Sequence, residues 1–257
     1  MHADALREGR SGLTPCDYPH VPFDCFIGRV AGIENDAFPE EFADYDSRAN
    51  RISLAALRTD GFLDAVESAR THWGKDRVGV VLGTSTSGVE TLELEYRARE
   101  GDGPLSEDYS LRHQNDHHAV TAFLQDFLDL RGPGLTISTA CSSSAKAMID
   151  AVQLIEAGFC DAVLAGGVDS LCLTSLHGFE SLQLVSRLPA RPCDAERTGL
   201  SIGEGAAFVL IQRASEGVRV FGGESSDGIN MSTPPEDGSG AAEAMRLAMQ
   251  RAGIRAN

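Results

Sequence analysis

The apolar residues of this chain recur with two periods, one typical of buried strands and one typical of amphipathic helices. Apolar stretches predict buried strands over 77–83, 135–137 and 162–166, and further strands are predicted over 203–210 and 218–221. Apolar residues at helical spacing predict helices over 53–70, 116–130, 145–155 and 241–252. Gly253 is placed to end the last of these helices. The pattern therefore predicts a chain in which strands and helices follow each other.

Cys141 lies between one of these strands and the helix that follows it. Leu135 to Ile137 form the apolar strand, and the apolar positions from Ala145 onward recur on one helical face. Cys141 is therefore expected where a buried strand turns into a buried helix. The first backbone N–H groups of that helix have no partner within the helix itself.

A cysteine at such a turn has two interpretations. The partial positive charge of a helix N-terminus favours the thiolate, which is the form that attacks acyl groups, and the N–H groups there can hold an oxyanion. Unpaired cysteines are also often buried as inert packing residues. Position alone leaves Cys141 as either a nucleophile or a packing residue.

Four motifs follow one another around and after Cys141. They are T-A-C-S-S-S, D-A-V-L-A-G-G, R-P-C-D…R-T-G and G-E-G-A. In order and spacing these motifs resemble those of the β-ketoacyl synthase family of the thiolase superfamily. The resemblance implies that Cys141 is the catalytic nucleophile.

The resemblance also implies a fold, a reaction and partners. The fold is α/β, a thiolase-like layered α-β-α sheet, with the nucleophile half over 1–213 and the opening of a second half over 214–257. Cys141 would take an acyl group, and a malonyl thioester would lose carbon dioxide and condense with it, in fatty-acid, polyketide or aryl-polyene synthesis. The partners are an acyl carrier protein, which brings the phosphopantetheine arm, and a second synthase subunit in a homodimer or heterodimer. No metal or redox cofactor is implied.

Five further residues match positions of the family. Phe179 matches the mouth of the acyl pocket, or is an ordinary core residue. Thr86, in a loop expected at the subunit interface, matches the far end of the partner's acyl pocket. Arg48 and Arg51 match a basic segment that docks the carrier protein, or are solvated surface residues. Glu204 is expected to support the nucleophile turn through buried hydrogen bonds.

Composition argues against several other functions. The 257 residues include 22 basic and 38 acidic side chains, a formal net charge of −16 that disfavours binding to nucleic acid or to an anionic membrane surface. No apolar run is long enough for a membrane span, and the first residues carry no signal pattern, which predicts a cytoplasmic protein. The six cysteines include no C-x-x-C pair, and His113 and His117 have no third ligand nearby, so we expect no metal site.

Several motifs that complete the catalytic site in the family have no counterpart in this sequence, namely two histidines, a lysine and a glycine-rich turn. The family also has a strand before the position where this chain begins, so we expect a fragment of a synthase, shortened at both ends. Such a fragment would at most be acylated at Cys141. A function of another class, a non-catalytic subunit or scaffold that pairs with an active synthase, stays open beside the enzyme.

Overall fold

A computed structural model describes residues 2–213, 217–226, 228 and 233–255 of the chain. The helices are α1 (His2–Arg7), α2 (Arg48–Leu57), α3 (Phe62–Trp73), α4 (Val89–Ala98), α5 (Ala119–Phe127), α6 (Ser143–Glu156), α7 (Leu173–Ser181) and α8 (Ser239–Ala252). The strands are β1 (Leu13–Pro15), β2 (Phe26–Gly28), β3 (Val78–Gly83), β4 (Gly134–Ile137), β5 (Ala162–Asp169), β6 (Ile202–Gly203) and β7 (Gly205–Gln212).

Four strands form the larger sheet, in the order β4-β3-β5-β7. Strand β3 pairs in parallel with β4 on one side and with β5 on the other, whereas β7 pairs antiparallel with β5. Every residue of β3 is buried, because the strand is covered on both faces and flanked on both edges. Its sequence is therefore continuously apolar and does not alternate.

Helices cover both faces of this sheet. Successive side chains of a strand point to opposite faces, and in β5 Leu164 joins one buried cluster while Val163 joins another. The first cluster is completed by α2, α3 and α5, and the second by α6. The result is the layered α-β-α arrangement that was predicted.

The three remaining strands form a small sheet in the order β1-β2-β6. Strand β2 pairs antiparallel with β1 and parallel with β6. Together with α7 and the loops beside it, this sheet buries a third apolar cluster made by Tyr18, Cys25, Ile27, Leu171, Leu176 and Val185. The small sheet thus has a core of its own.

Two predicted elements are wrong. The helix predicted over 53–70 forms as α2 and α3, because Asp60 and Gly61 between them have φ of 55° and 71°, which a right-handed helix does not accommodate. Residues 218–221 form no strand, and Val218 is 96% exposed. The structure confirms, to within a few residues, the strands predicted over 77–83, 135–137, 162–166 and 203–210 and the helices predicted over 116–130, 145–155 and 241–252. The burial predicted for the strand over 135–137 is wrong, because β4 is an edge of the larger sheet and none of its residues is buried.

The end of α8 and the predicted domain division have different outcomes. Gly253 ends α8 with a φ of 69°, as its position predicted. The division after residue 213 lies beside residues 214–216, which are outside the described part of the chain. That division stays a prediction.

Candidate active site

Three parallel strands end at the same edge of the larger sheet. Strand β3 ends at Gly83, β4 at Ile137 and β5 at Asp169. Ligand sites of open α/β sheets commonly lie outside the carboxyl ends of the strands. Cys141 follows β4 and lies in a short 3₁₀ turn, Ala140–Ser142, that continues directly into α6. Its predicted place in a strand-to-helix turn is therefore confirmed, and its role as nucleophile stays a prediction.

Serine hydroxyls hold the turn that carries Cys141. The Ser143 hydroxyl accepts a hydrogen bond from the Thr139 N–H at 2.9 Å and donates one to the Ala140 carbonyl at 2.6 Å. Ser142 donates to the Thr139 carbonyl at 2.8 Å. Ala140 adopts a φ of 54°, which costs a residue with a Cβ about 1–3 kcal/mol. The turn is thus a strained backbone segment that local hydrogen bonds keep in one conformation.

A glycine lets the start of α6 lie against the end of β3. A Cβ placed on Gly83 would lie 2.3 Å from the Ser143 carbonyl carbon and 2.3 Å from the Ser144 nitrogen. Such distances are far below van der Waals contact, so residue 83 must lack a side chain in this packing. The close approach fixes the first turn of α6, and with it Cys141, at the edge of the sheet.

Cys141 opens into a cleft of about 380 Å³. Its side chain is exposed, and the cleft is lined by residues from the ends of β3 and β5, the start of β7 and the nucleophile turn. Among the described residues that line it, Asp169 is the one carboxylate, and there is no histidine, lysine or arginine. The cleft therefore offers a thiol and small or apolar walls, without a resident cation.

Asp169 holds the loop after β3 in place. Its Oδ1 atom accepts hydrogen bonds from the Thr84 hydroxyl at 3.0 Å, the Ser85 N–H at 2.7 Å, and the Thr86 N–H and hydroxyl at 2.8 and 3.0 Å. The Thr86 hydroxyl also accepts from the Ser170 N–H at 3.0 Å. Thr86 is 9% exposed, and its hydroxyl donates to and accepts from groups within the chain. Its predicted place in a partner's acyl pocket stays a prediction.

Phe179 lies apart from the cleft. It is on α7, half-buried against the apolar cluster of the small sheet, and it is not among the residues that line the cleft around Cys141. The structure therefore does not bring Phe179 and Cys141 together, and the packing it does show is that of an ordinary core residue. A place at the mouth of the acyl pocket stays a prediction.

The docking role predicted for Arg48 is wrong. Its side chain is 7% exposed and forms a two-pronged ion pair with Glu204, whose side chain is fully buried, at 2.7 and 2.6 Å. Arg51 also bonds within the chain. It donates to the Asp46 carboxylate at 2.6 and 2.7 Å and to the Asp36 carbonyl at 2.6 Å. These arginines hold the loop before α2, and Arg48 offers no charge to an external protein. The docking role of Arg51, whose side chain is 21% exposed, stays a prediction.

Glu204 joins three separate segments of the chain. Besides Arg48, it accepts from the Val30 N–H at 2.8 Å and from the Leu171 N–H at 3.0 Å. Burial raises the pKa of Glu204, but Arg48 and these two N–H groups outweigh that effect and hold its pKa below the usual range. The prediction that these buried hydrogen bonds support the nucleophile turn is wrong. They reach the loop after β5, and none of them reaches the turn of Cys141.

A second buried carboxyl lies in the same region. Burial raises the pKa of Glu90, although the Tyr18 hydroxyl donates to it at 2.9 Å. Burial likewise raises the pKa of Tyr18, and the neighbouring Glu90 adds to the effect. Glu90 and Glu204 are thus shifted in opposite directions, because only Glu204 has an arginine at bonding distance.

His113 and His118 each contact a neighbouring hydroxyl within the chain. The His113 ring lies 4.7 Å from the Tyr45 ring, and its Nδ1 atom is 3.2 Å from the Ser110 hydroxyl. Across the described residues, no three His, Cys, Asp or Glu side chains are grouped as a metal site requires. No helix in the described ranges is long and apolar enough to cross a membrane.

Comparison with known proteins decides the family. The sequence profile of the beta-ketoacyl synthase N-terminal domain matches residues 3–217. The chain belongs to the β-ketoacyl synthase family. Its layered sheet is the thiolase-like fold, since the solved structures that it resembles are ketosynthases. The family resemblance seen in the motifs is thereby confirmed.

Several relatives show how far the likeness extends. A 3-oxoacyl-[acyl-carrier-protein] synthase 2 of Vibrio cholerae is 29% identical over 270 residues, which cover 97% of this chain and 64% of the relative. A ketosynthase in complex with its chain length factor, from Xenorhabdus doucetiae, matches with a TM-score of 0.87 and 34% identity over 98% of this chain and 63% of that one. A β-ketoacyl synthase of Burkholderia phymatum matches with a TM-score of 0.82 and 26% identity. The chain spans about 64% of the length of two of these curated synthases, including that of Vibrio cholerae.

Sequence reasoning missed three features of this site. Ser143 belongs to the T-A-C-S-S-S motif, but the motif does not indicate which of its serines supports the turn. Asp169 could have been found, because a carboxylate that ends an apolar strand is placed to bind the loops at that edge. The pairing of Arg48 with Glu204 joins residues 156 positions apart and had no local signal.

Proposed function

We propose that Cys141 is the acyl-accepting nucleophile of a β-ketoacyl-[acyl-carrier-protein] synthase. The single observation that carries the proposal is the exposed thiol in the 3₁₀ turn that leads into α6, open to the cleft at the carboxyl edge of the sheet. The family membership and the similarity to 3-oxoacyl-[acyl-carrier-protein] synthases support the same chemistry.

The proposed first step is a transfer between two thioesters. The Cys141 sulfur, as thiolate, attacks the carbonyl carbon of an acyl group held on the phosphopantetheine arm of an acyl carrier protein. A tetrahedral oxyanion forms, and backbone N–H groups at a helix start are suited to hold it. The carbon–sulfur bond to the carrier then breaks, the carrier thiol takes a proton, and the acyl group stays on Cys141.

The proposed second step is a decarboxylative condensation. A malonyl carrier thioester loses carbon dioxide, the resulting enolate carbon attacks the acyl carbon, and the Cys141 thiolate leaves. Stabilising an enolate oxygen calls for hydrogen-bond donors or cations, and the described residues that line the cleft include no histidine, lysine or arginine. We therefore assign the acyl transfer, and not the condensation, to the residues described.

The proposal includes a second synthase subunit, identical or related. Strand β4 is an edge of the larger sheet, and Leu135 on it is 40% exposed. Open apolar edges are ready to pair with another chain. A cytoplasmic location belongs to the same proposal, because all six cysteines are unpaired, as in reducing compartments. No resident metal or redox cofactor is included.

A non-catalytic subunit is the second candidate. One solved structure that this chain resembles is a ketosynthase in complex with its chain length factor, so pairing of two related subunits is known among its relatives. The two candidates differ in the role of the Cys141 sulfur, because a purely structural subunit does not need an exposed thiol in this turn. Acylation of Cys141 separates them.

The test is acyl transfer from an acyl carrier protein. The chain is incubated with acyl carrier protein bearing a short saturated acyl group, and the acylated peptide is located by mass spectrometry. We expect the acyl group on Cys141, its loss in Cys141→Ala, and unchanged labelling in the control Cys193→Ala, which removes the other exposed thiol. Equal acylation of the Cys141→Ala variant would contradict the proposal.

A further inference from the structure

Cys16 and Cys25 face each other at the end of the small sheet. The ladder between β1 and β2 pairs Leu13 with Gly28, Thr14 with Ile27 and Pro15 with Phe26. The next pair in this register is Cys16 with Cys25, and the Cys16 N–H donates to the Cys25 carbonyl at 2.9 Å. Residues directly opposite in such a hydrogen-bonded pair have Cα atoms about 5.5 Å apart. That distance is within the span of about 4.4–6.8 Å that disulfides bridge.

The two thiols share one apolar environment. Side chains of directly opposite residues lie on the same face of a sheet. Cys25 is 3% exposed within the apolar cluster of the small sheet, and Cys16 packs half-buried against that cluster. Burial raises the pKa of the Cys25 thiol to about 11, and a hydrogen bond with the Cys16 thiol adds to it. Solvent therefore reaches Cys16, while Cys25 is protected and adjacent.

We propose that Cys16 and Cys25 are a modification site, a dithiol that peroxide converts into an intrachain disulfide. The Cys16 thiol first reduces hydrogen peroxide, its sulfur takes a hydroxyl group, and one water is released. The Cys25 sulfur then attacks that sulfenic sulfur, the S–S bond forms, and a second water leaves with the Cys25 proton. Two thiols are oxidised by two electrons, and one peroxide becomes two waters. A reducing thiol reverses the bond by exchange.

The disulfide would close a loop that is already tied to the rest of the fold. The loop between the cysteines carries Tyr18, whose hydroxyl donates to Glu90 at 2.9 Å and contacts the Leu171 carbonyl at 3.3 Å. Phe23 in the same loop lies edge-on to the His177 ring, with centroids 5.6 Å apart. These contacts hold the loop ends side by side, so the bond forms without a rearrangement of the chain.

The sequence makes the test direct, because both cysteines lie between Arg10 and Arg29 with no other basic cleavage site between them. The native chain is treated with hydrogen peroxide, alkylated and digested with trypsin, and the masses of the peptides are measured by mass spectrometry. We expect the peptide Ser11–Arg29 to be lighter by two hydrogens and unalkylated, with its full mass and two alkylated thiols restored by dithiothreitol. The yield should not depend on protein concentration, since the bond is within one chain.

Two variants separate the steps. In Cys25→Ser the sulfenic acid on Cys16 has no partner, so dimedone should trap it at least tenfold more than in the unaltered chain. In Cys16→Ser the buried Cys25 should stay reduced. Circular dichroism spectra matching the unaltered chain show that both variants fold. The proposal is overturned if Ser11–Arg29 keeps two thiols at the peroxide dose that traps Cys16 in Cys25→Ser, or if either cysteine pairs with a different one.

Discussion

Replacing Arg48 by methionine tests whether the buried ion pair organises the small sheet and the loop after β5. Methionine keeps the length of the aliphatic stem but removes the guanidinium that bonds Glu204 at 2.7 and 2.6 Å. Glu204, with a fully buried side chain, would keep only the Val30 and Leu171 N–H groups as partners. The variant therefore leaves a buried carboxylate without its counterion.

The structure sets the size of the effect. Breaking a buried ion pair by removing one partner costs about 3–5 kcal/mol, because the remaining charge stays desolvated. The two N–H groups that remain stabilise the carboxylate, so we expect a loss of about 3 kcal/mol in the free energy of unfolding at neutral pH. Arg131→Met is the matched control. Arg131 pairs with Asp126 at 2.9 Å with both side chains more than 40% exposed, and exposed pairs contribute about 0–1 kcal/mol.

The loss should also depend on pH in a defined direction. In the unaltered chain the pKa of Glu204 is held below its usual range, so its contribution is present above the unfolded pKa and is lost as pH falls through the folded one. Without Arg48, burial alone raises the pKa of Glu204. Protonation of this carboxyl at low pH then removes the unpaired buried charge that destabilises the variant. The difference in the free energy of unfolding between the two proteins should therefore be largest near neutral pH and decrease as the Glu204 carboxyl becomes protonated.

The assay is urea unfolding followed by the fluorescence of Trp73, the single tryptophan of the chain. It is run for Arg48→Met, Arg131→Met and the unaltered chain at neutral and acidic pH. A loss for Arg48→Met no larger than that of Arg131→Met would refute the reasoning. So would a gap that stays constant as the pH falls.

Two further predictions concern the site itself. Gly83→Ala should destabilise the chain by about 1–3 kcal/mol, since the new Cβ meets backbone atoms of Ser143 and Ser144. Thermal unfolding measures this loss. The control is Gly178→Ala, where a Cβ meets nothing within 4 Å. The chain by itself should not decarboxylate malonyl thioesters, because the described cleft holds no histidine or lysine. Carbon dioxide release checks this, and sustained turnover would contradict it.

The local structure around Cys141 was predictable from sequence because it depends on short-range patterns. An apolar run marks the strand before Cys141, and helical spacing marks the helix that packs beside it. The turn between them places Cys141 without any knowledge of distant residues. Motif order then supplied the family, which the comparison confirmed.

What the sequence did not reveal depends on contacts between distant segments. The match to a basic segment of the family predicts Arg48 at the surface, and only the fold brings Glu204 beside it. Asp60 and Gly61 interrupted an apolar pattern that is continuous in sequence, since backbone conformation there overrides side-chain periodicity. Three of the four residues over 218–221 are apolar, but a strand needs a neighbour with a free edge, and the described chain places none beside them.

The proposed role of Cys141 is tested most directly by the rates at which the six thiols are alkylated. The folded chain is treated with limiting iodoacetamide at neutral pH, quenched, and mapped peptide by peptide. Cys193 is the internal control, because it is exposed but does not lie in a turn that leads into a helix or line the cleft. We expect Cys141 to react at least tenfold faster than Cys193, and the difference to vanish in denaturant. Equal rates in the folded chain would contradict the assignment of Cys141 as the nucleophile.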